Sequence, residues 1–512
     1  MNPFYGLNIA MKGLYASQQG IYVTDHNISN AEATGYSRQI ISQQASTPLK
    51  TGNGKGMMGT GVDVLTVMRM RDQFLDNRYW EQNVLYGEWN IKSSAQSELE
   101  LIVNEVPENG LLKVLNGLYD ALEGLSNDPS NEQSRSVVIE NAQSFCQYLR
   151  NASSDLDSLR EDYNSNIKVK VNQMNSLSRQ ISDLNEMIYK AELDGSIAND
   201  LRDQRTVVID QLSTIADIKV NEVQAGTLPN GVKDIRMQIT LDGICLVNHF
   251  DYRELECYGI EDGSAANGMY GIRWADTGMD VDIEGGELKG YLDLRDMDGT
   301  NGTYKGILYF KNRLDNFART FAKAFNEGIF ADGNKYTNGH VDGTTLDGET
   351  GIGFFSFNGL STADFTAVDT DLDARYDHIT AANISITSDI KDDLNKIAAA
   401  SAGGEAENSE NLRALIDIFY DTRVFKEGTP EYYIGSVTAT MGVVAQYAER
   451  LNKSYDSVIA QTEKKRLSVS GVSLNEETTN LVKFQQAYSA AAQVISVLDE
   501  ILDVTINGLG AG

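Results

Sequence analysis

The sequence predicts a multidomain α+β protein in which terminal coiled-coil helices and a central helical bundle, both formed by the two ends of the chain, enclose two β-rich inserts. Three observations predict it: seven-residue apolar repeats at both termini, a long stretch without proline, and two later stretches of short β-branched runs. The 512 residues, 41% of them hydrophobic, suffice for several domains with buried cores.

A C-terminal helix is predicted by an apolar ladder that repeats every seven residues. Its first row is Leu474, Leu481, Tyr488, Ile495 and Leu502, and a second row, three residues further on, is Phe484, Ala491 and Leu498. Two rows at this spacing form the a/d stripe through which coiled-coil helices pack. We therefore expect this helix to bury one narrow stripe against a partner helix.

The first helix carries a matching ladder. Its large residues are Leu7, Leu14, Ile21 and Ile28, and its small second row is Ala10, Ser17, Thr24 and Ala31. Small side chains let another backbone approach closely. The two ladders allow either a private antiparallel pair within one domain or a seam shared between copies, and the charge distribution and the turn described below favour the shared seam.

Long helices are predicted between residues 130 and 228, which contain no proline. A seven-residue repeat from Ile167 to Ile188 ends near Gly195, and a new helix is expected to begin near Asn199. Runs such as IKVNEV and IRMQITL then indicate strands, and FFSF and NISITS indicate a second group. The predicted domains are a terminal coiled coil (1–36 with 474–512), a helical bundle (37–216 with 301–330 and 391–473) and two inserts (217–300 and 331–390).

The net charge of -30 is concentrated in the middle of the chain. Residues 1–92 hold 8 Lys/Arg and 7 Asp/Glu, residues 440–512 hold 6 and 8, and the residues between them hold 29 and 58. Near-neutral ends can pack against copies of one another without like-charge repulsion. The acidic balance argues against nucleic acid or a membrane surface as partner, and we expect no cleaved secretory leader.

No motif predicts catalysis or a cofactor. The four histidines have no metal-ligand spacing, and the acidic run from Asp369 to Asp373 lacks the glycine and glutamate that a calcium loop needs. The glycine-rich stretch 52–61 lacks the Ser or Thr that follows the lysine of a phosphate loop. We expect free thiols, although Cys245 and Cys257 could face each other across a hairpin. The chain is therefore not expected to be an enzyme.

The segment Asn27-Ile28-Ser29-Asn30-Ala31-Glu32-Ala33-Thr34-Gly35-Tyr36-Ser37-Arg38 has the composition of a helix end. Its asparagines can bond backbone groups, Gly35 can take a positive φ, and Tyr36 can pack the outgoing chain. This segment resembles the N-terminal signature of bacterial flagellar axial proteins. The stretch GVSLNEETTNLVKFQQAYSAAAQ, beginning at Gly471, resembles the C-terminal signature of the same family.

Other segments resemble the hook-associated members of that family, which join the hook to the filament. The segments are Asn199-Asp200-Leu201-Arg202-Asp203-Gln204-Arg205, the stretch GGELKGY from Gly285 to Tyr291, and Gly353-Phe354-Phe355. The resemblance implies a structural role in a ring of copies at the extracellular junction of the flagellum, after a transient cytoplasmic stage and export by the flagellar type III apparatus. It also implies as partners the hook protein, the second junction protein and an export chaperone.

The expected assembly interface combines the two ladders with the turn. It comprises Leu7, Leu14, Ile21, Asn27, Ile28, Asn30, Gly35, Tyr36, Leu474, Leu481, Phe484, Tyr488, Ile495, Leu498 and Leu502. The chaperone is expected to contact Leu481, Phe484, Tyr488, Ile495 and Leu498. Three alternatives stay open at this point: another flagellar axial protein, a cell-wall hydrolase with axial-type ends, and an adhesin displayed on the appendage.

Overall fold

The computed structural model describes residues 4–50, 56–103, 110–227, 233–263, 266–331, 333–401 and 403–505. Within them the fold is mixed α+β, with long helices and small antiparallel sheets. The helices are α1 (Phe4–Ser29), α2 (Gln73–Val103), α3 (Leu111–Asn127), α4 (Glu132–Glu192), α5 (Asn199–Ile215), α6 (Gly286–Asp296), α7 (Ile307–Glu327), α8 (Thr362–Val368), α9 (Leu372–Asp377), α10 (Ser388–Asp392), α11 (Glu410–Asp417), α12 (Pro430–Ser470) and α13 (Leu474–Asp503).

The strands are short and pair mostly with their neighbours in sequence. They are β1 (Gln39–Ala45), β2 (Leu49–Lys50), β3 (Met57–Met58), β4 (Val62–Arg69), β5 (Ile218–Thr227), β6 (Lys233–Leu241), β7 (Ile244–Asn248), β8 (Asp251–Tyr252), β9 (Leu255–Gly259), β10 (Tyr270–Trp274), β11 (Ile329–Ala331), β12 (Asn334–Thr337), β13 (Phe355–Phe357) and β14 (Ile384–Ile386). The largest sheet has the order β5-β6-β7-β8.

Helix α4 runs through the whole body of the molecule. Its 61 residues span about 90 Å at 1.5 Å per residue, and the Asn131 side chain caps its first turn by accepting a hydrogen bond from the Ser134 amide. Its first half contributes Phe145 to one core and its second half contributes Met174 to another. The predictions that this helix ends near Gly195 and that α5 begins near Asn199 are confirmed.

The first core lies among α3, α4, α7, α11 and the start of α12. Aromatic rings fill it, with the Phe145 ring 5.2 Å from that of Phe321 and 6.1 Å from that of Phe355, between centroids. Residues 331–390 contain the short strands β12 to β14 together with α8, α9 and most of α10. Their buried side chains belong to this same core, so the predicted separate insert at 331–390 stays a prediction.

The second core lies between the β5-β6-β7-β8 sheet, the second half of α4 and α5. Strands begin at Ile218, close to the predicted start of the first insert. The last part of the predicted β-rich insert is helical instead of β-stranded. Residues 286–296 form α6, which packs against α2. A Cβ placed on Gly290 would lie 2.9 Å from the Glu88 carbonyl oxygen, so the glycine allows this close approach.

The segment after α1 is also different from the predicted helical bundle. Strands β1 and β4 form an antiparallel hairpin, with Gln39 opposite Arg69 and a bulge after Ser42. The hairpin lies along α1, where Lys12 Nζ donates to Asp63 Oδ1 over 2.8 Å. The start of the glycine-rich stretch 52–61, residues 52–55, lies outside the described residues, and β2 and β3 lie on either side of it.

Candidate assembly interface

Helices α1 and α13, from opposite ends of the chain, pack against each other as an antiparallel pair. A Cβ placed on Gly20 would lie 2.6 Å from the Phe484 ring, and one on Gly6 would lie 3.4 Å from Leu498 Cδ1. A third contact joins Asn27 to Glu477. From one contact to the next, the residue number rises along α1 by as much as it falls along α13. The contact between the two helices, which we call the seam, therefore keeps one register throughout. We call this helix pair the tail.

The predicted ladder residues fall into three groups in the tail. The small row of α1, namely Ala10, Ser17 and Thr24, is buried. The half-buried residues are Leu7, Leu14, Ile21, Ile28, Leu481, Phe484, Ile495, Leu498 and Leu502. Leu474 and Tyr488 are exposed. Much of the C-terminal ladder is therefore used within the chain, where Phe484 and Leu498 face Gly20 and Gly6 of α1.

The turn that follows α1 is held by its own side chains, as the helix-end interpretation predicted. Asn30 Nδ2 donates to the His26 carbonyl oxygen at 2.9 Å, which also accepts a hydrogen bond from the Asn30 amide at 3.1 Å. Gly35 has φ +79°, and a Cβ there would lie 2.1 Å from Val207 Cγ2. Tyr36 turns back toward α1, with its hydroxyl 2.9 Å from His26 Nδ1.

Asn27 is the centre of this turn and is fully buried. Its Oδ1 accepts hydrogen bonds from the Tyr36 hydroxyl at 2.8 Å and the Gln39 amide at 2.9 Å. Its Nδ2 donates to the Gln39 carbonyl oxygen at 2.9 Å and to Glu477 Oε2 at 3.0 Å. All four hydrogen-bonding positions of the Asn27 amide are therefore used. These bonds connect Gln39, the first residue of β1, and the start of α13 to the end of α1.

Glu477 lies in the seam at a position where the ladder would otherwise carry an apolar residue. It is buried and pairs with Arg38, whose Nη2 lies 2.7 Å from Glu477 Oε1. Arg38 Nη1 also reaches the exposed Glu476, at 3.0 Å, and the Arg38 amide donates to the Ser470 carbonyl oxygen. The C-terminal signature thus docks directly on the N-terminal one.

The third sequence motif joins the same cluster from the body of the molecule. Asp203, at the start of α5, accepts hydrogen bonds from the Ser37 amide and hydroxyl, both at 2.8 Å, and from Arg69 Nη1 at 2.7 Å. Gln39 Nε2 donates to Asp200 Oδ1 at 2.7 Å. We call this polar cluster the hub; its members are Asn27, Tyr36, Ser37, Arg38, Gln39, Arg69, Asp200, Asp203 and Glu477.

The electrostatics of the hub keep the Tyr36 hydroxyl protonated. Burial, together with the negative charges of Asp200, Asp203 and Glu477, raises the pKa of Tyr36 well above its usual value. The phenol therefore stays a donor to Asn27 throughout the neutral range. Burial lowers the pKa of Arg69, which its hydrogen bond to Asp203 partly offsets.

A second polar cluster ties α12 to α2 and α5. Arg466 bridges Asp76 and Asp210, with a separation of 3.0 Å to each, and Trp80 Nε1 donates to Asp210 Oδ1 at 2.6 Å. Burial raises the pKa of Asp210 although Arg466 lies beside it. This cluster fixes the helix that leads into the tail, since α13 begins shortly after α12 ends.

The interface predicted from sequence includes Asn27, Asn30, Gly35 and Tyr36 but omits Glu477, Asp203 and Arg69. One signal for Glu477 is present in the sequence, because a carboxylate inside an otherwise apolar ladder requires a partner charge. Among the described residues, no group of three or more His, Cys, Asp or Glu side chains is placed to hold a metal ion, and none of the helices is long and apolar enough to cross a membrane. The three cysteines are free thiols.

Known proteins that are similar to this chain come from the bacterial flagellum. Residues 96–355 match the family model "Flagellar hook-associated protein FlgK helical domain", and residues 463–508 match "Flagellar basal body rod FlgEFG protein C-terminal". The chain is 32% identical to flagellar hook-associated protein 1 of Bacillus subtilis, over 100% of this chain and 99% of that protein. It is 24% identical to the protein of the same name in Escherichia coli, over 98% and 99%.

A solved structure shares the fold. It is the flagellar hook junction protein FlgK from Burkholderia pseudomallei, with a TM-score of 0.53 at 15% identity, covering 78% of this chain and 100% of that one. These relatives are structural components of the bacterial flagellum. The chain belongs to the flagellar hook-associated protein 1 family, and the resemblance predicted from its sequence motifs is confirmed.

Proposed function

We propose that this chain forms the junction between the flagellar hook and the filament. The support is the name shared by its relatives and the fold shared with the Burkholderia protein, which is a flagellar hook junction protein. On this proposal the protein leaves the cytoplasm through the flagellar type III apparatus and assembles outside the cell into a ring of copies. The hook protein is its neighbour on one side and the second junction protein its neighbour on the other.

The observation that carries the proposal is the tail locked to the body through the hub. A two-helix tail with one continuous register gives each copy a straight, stiff edge along which others can stack. Because Asp203 and Arg69 connect the hub to the body, displacement of the tail is passed to the rest of the molecule. A junction between the hook and the filament, which differ in shape, needs both a stiff edge for stacking and a connection from that edge to the rest of the molecule.

The predicted interface residues have two roles in this proposal. The half-buried ladder and the hub residues Asn27 and Tyr36 hold the tail together, and Asn30 and Gly35 shape the turn that connects it to the body. The remaining outer surface of the tail contacts other copies. The near-neutral ends limit repulsion there, and the acidic middle faces solvent.

An export chaperone is proposed to hold the C-terminal helix at Leu481, Phe484, Tyr488, Ile495 and Leu498. All of these except Tyr488 are half-buried beside α1, so the chaperone would bind before the seam closes. The variant L481D/I495D is expected to lose both chaperone co-purification and assembly. The variant Q485D/Q493D, which alters two exposed polar positions of the same helix, serves as the control. Retention of both activities by L481D/I495D would count against this role.

Deletion of the gene tests the proposed function directly. We expect cells with hooks but no filaments and with flagellin released into the medium, and we expect the wild-type chain supplied in trans to restore filaments. Immunogold labelling of isolated flagella should place the protein between hook and filament. Normal filaments in the deletion strain would refute the proposal.

A further inference from the structure

A second apolar ladder runs along α13 on a face that α1 does not cover. Its members are spaced alternately three and four residues apart, as in a coiled-coil seam, and are Ala487, Ala490, Val494, Val497, Ile501 and Val504. All six are exposed. The exposed fractions of Val494, Val497, Ile501 and Val504 are 50, 54, 55 and 63%. We call this set the outer stripe.

The outer stripe is separate from the seam within the chain. Val494, Val497 and Ile501 each directly precede a half-buried residue of that seam, so the two stripes are offset by about 100° around the helix. A helix that packs only against α1 requires one narrow stripe. Exposed valine and isoleucine also lower helix propensity slightly compared with leucine or alanine, so neither local structure nor the α1 contact accounts for them.

Helix α1 carries a matching exposed stripe. One side of α1 contacts α13 through Gly6 and Gly20, and another contacts the β1–β4 hairpin through Lys12. Three large apolar residues lie on the exposed remainder, namely Met11, Tyr15 and Tyr22. Tyrosine offers a large contact area with few rotatable bonds, and methionine adapts to an irregular neighbour.

We propose that the outer stripe of one copy packs against Met11, Tyr15 and Tyr22 of the next copy. This inference rests on the proposed function and adds to it the two surfaces that meet. The contact joins different patches on the two molecules, and each copy carries both patches. The same contact can therefore repeat from copy to copy around a ring or along a tube. The members of both stripes are uncharged, which avoids like-charge repulsion in the contact.

Charge substitutions on two faces of α13 separate the contact between copies from the seam within the chain. V494D/I501D places two charges in the outer stripe, and S489D/S496D places the same charges, at the same spacing, on exposed polar positions. We expect V494D/I501D to be exported with unchanged helical circular dichroism but to be incorporated into flagella at least about tenfold less than the control.

Y15D should behave in the same way, and N8D, at another exposed position of α1, should incorporate normally. Adding Y15K/Y22K to V494D/I501D should restore incorporation.

Cysteine cross-linking identifies the occupant of the outer stripe. Y15C is combined in one chain with V494C, V497C, I501C or V504C, or with the control substitution S489C or S496C. In isolated flagella we expect disulfide-linked multimers from at least one outer-stripe combination and from neither control combination.

Two results would overturn the inference while leaving the proposed function intact. One is equal incorporation of V494D/I501D and S489D/S496D; the other is normal incorporation of Y15D together with failure of every outer-stripe combination to cross-link. The proposed function fails on a different measurement, because it requires the deletion strain to lack filaments.

Discussion

Asn27 and Glu477, 450 positions apart in the chain, are joined by a hydrogen bond of 3.0 Å between Nδ2 and Oε2. The bond connects the end of α1 to the first turn of α13, and both residues are buried. Arg38 pairs with the other oxygen of the same carboxylate. One side chain therefore fixes the two ends of the chain and the turn between tail and body.

Removal of the Glu477 carboxylate should open the tail. In E477A, Asn27 loses one acceptor and the Arg38 side chain keeps its ion pair with Glu476 but loses that with Glu477. We expect a loss of about 2 to 3 kcal/mol in the stability of α1 and α13. This is at or just below the lower limit of about 3 kcal/mol for breaking a fully buried ion pair, because Arg38 is partly exposed. Amide hydrogen exchange of the two helices measures this loss.

Glu476 provides the matched control for that measurement. It pairs with the same arginine, but at the surface, where such pairs contribute about 1 kcal/mol or less. E476A should therefore leave hydrogen exchange in the tail almost unchanged. Equal effects of E477A and E476A would show that the buried carboxylate does not hold the seam.

Two glycines of α1 should respond in opposite ways to alanine. Alanine in a helix is more favourable than glycine by about 1 kcal/mol, and an added Cβ at the half-buried Gly13 meets no atom within 4 Å. G13A should therefore stabilise the tail. At Gly20 the Cβ would lie 2.6 Å from the Phe484 ring, so G20A should weaken the α1–α13 contact. Thermal unfolding of both variants, and of G20A/F484L as a rescue, checks this expectation.

Acidification should weaken the first core through His340. Burial lowers the pKa of His340 to about 4, and its Nε2 accepts a hydrogen bond from the Ala398 amide. A pKa depressed in the folded state means stability that is complete above the ordinary value of about 6.5 and is lost as the pH falls toward 4. We expect the free energy of unfolding to decrease by about 2 kcal/mol between pH 7 and pH 5.

Histidine variants isolate this contribution. H340Q should unfold with a smaller decrease between pH 7 and pH 5 than the wild-type chain, whatever its stability at pH 7. H378Q, which changes an exposed histidine, should keep the full decrease. An unchanged pH dependence in H340Q would assign the effect to other groups.

The tail should be the least protected helical part of the free monomer. Isolated helices that bury only a narrow stripe are marginal in water, and α1 and α13 bury mostly small residues against each other. We expect faster amide exchange in both helices than in α4 before assembly, and an increase in the protection of the tail after copies stack. Equal protection of the tail and α4 in the monomer would contradict this expectation.

The sequence was most informative where a pattern repeats over many turns. The end of α4, the start of α5 and the start of β5 followed from apolar periodicity, proline positions and β-branched runs. The β1–β4 hairpin and α6 were missed because each is short and shows a weak period. The placement of Tyr376 and Ile384 in the core of α4 and α7 depends on contacts between distant segments, which no local pattern records.

The hub also depends on contacts between distant segments, which the sequence alone did not predict. Its motif positions could be selected from resemblance, and Asn27 proved to be central. The partners of Asp203 come from residues 37 and 69, and those of Glu477 from residues 27 and 38. Such pairings arise only when the chain is folded, so the sequence could indicate polar motifs but not which of them meet.

Helix α4 gives the molecule a mechanical property that neither core has alone. It continues without a break from Glu132 to Glu192, and side chains of both cores pack against it along its length. Its hydrogen bonds run parallel to its axis, so the helix resists stretching and unwinding. The position of the sheet at one end of α4 is therefore coupled to that of the aromatic core at the other through one continuous helix.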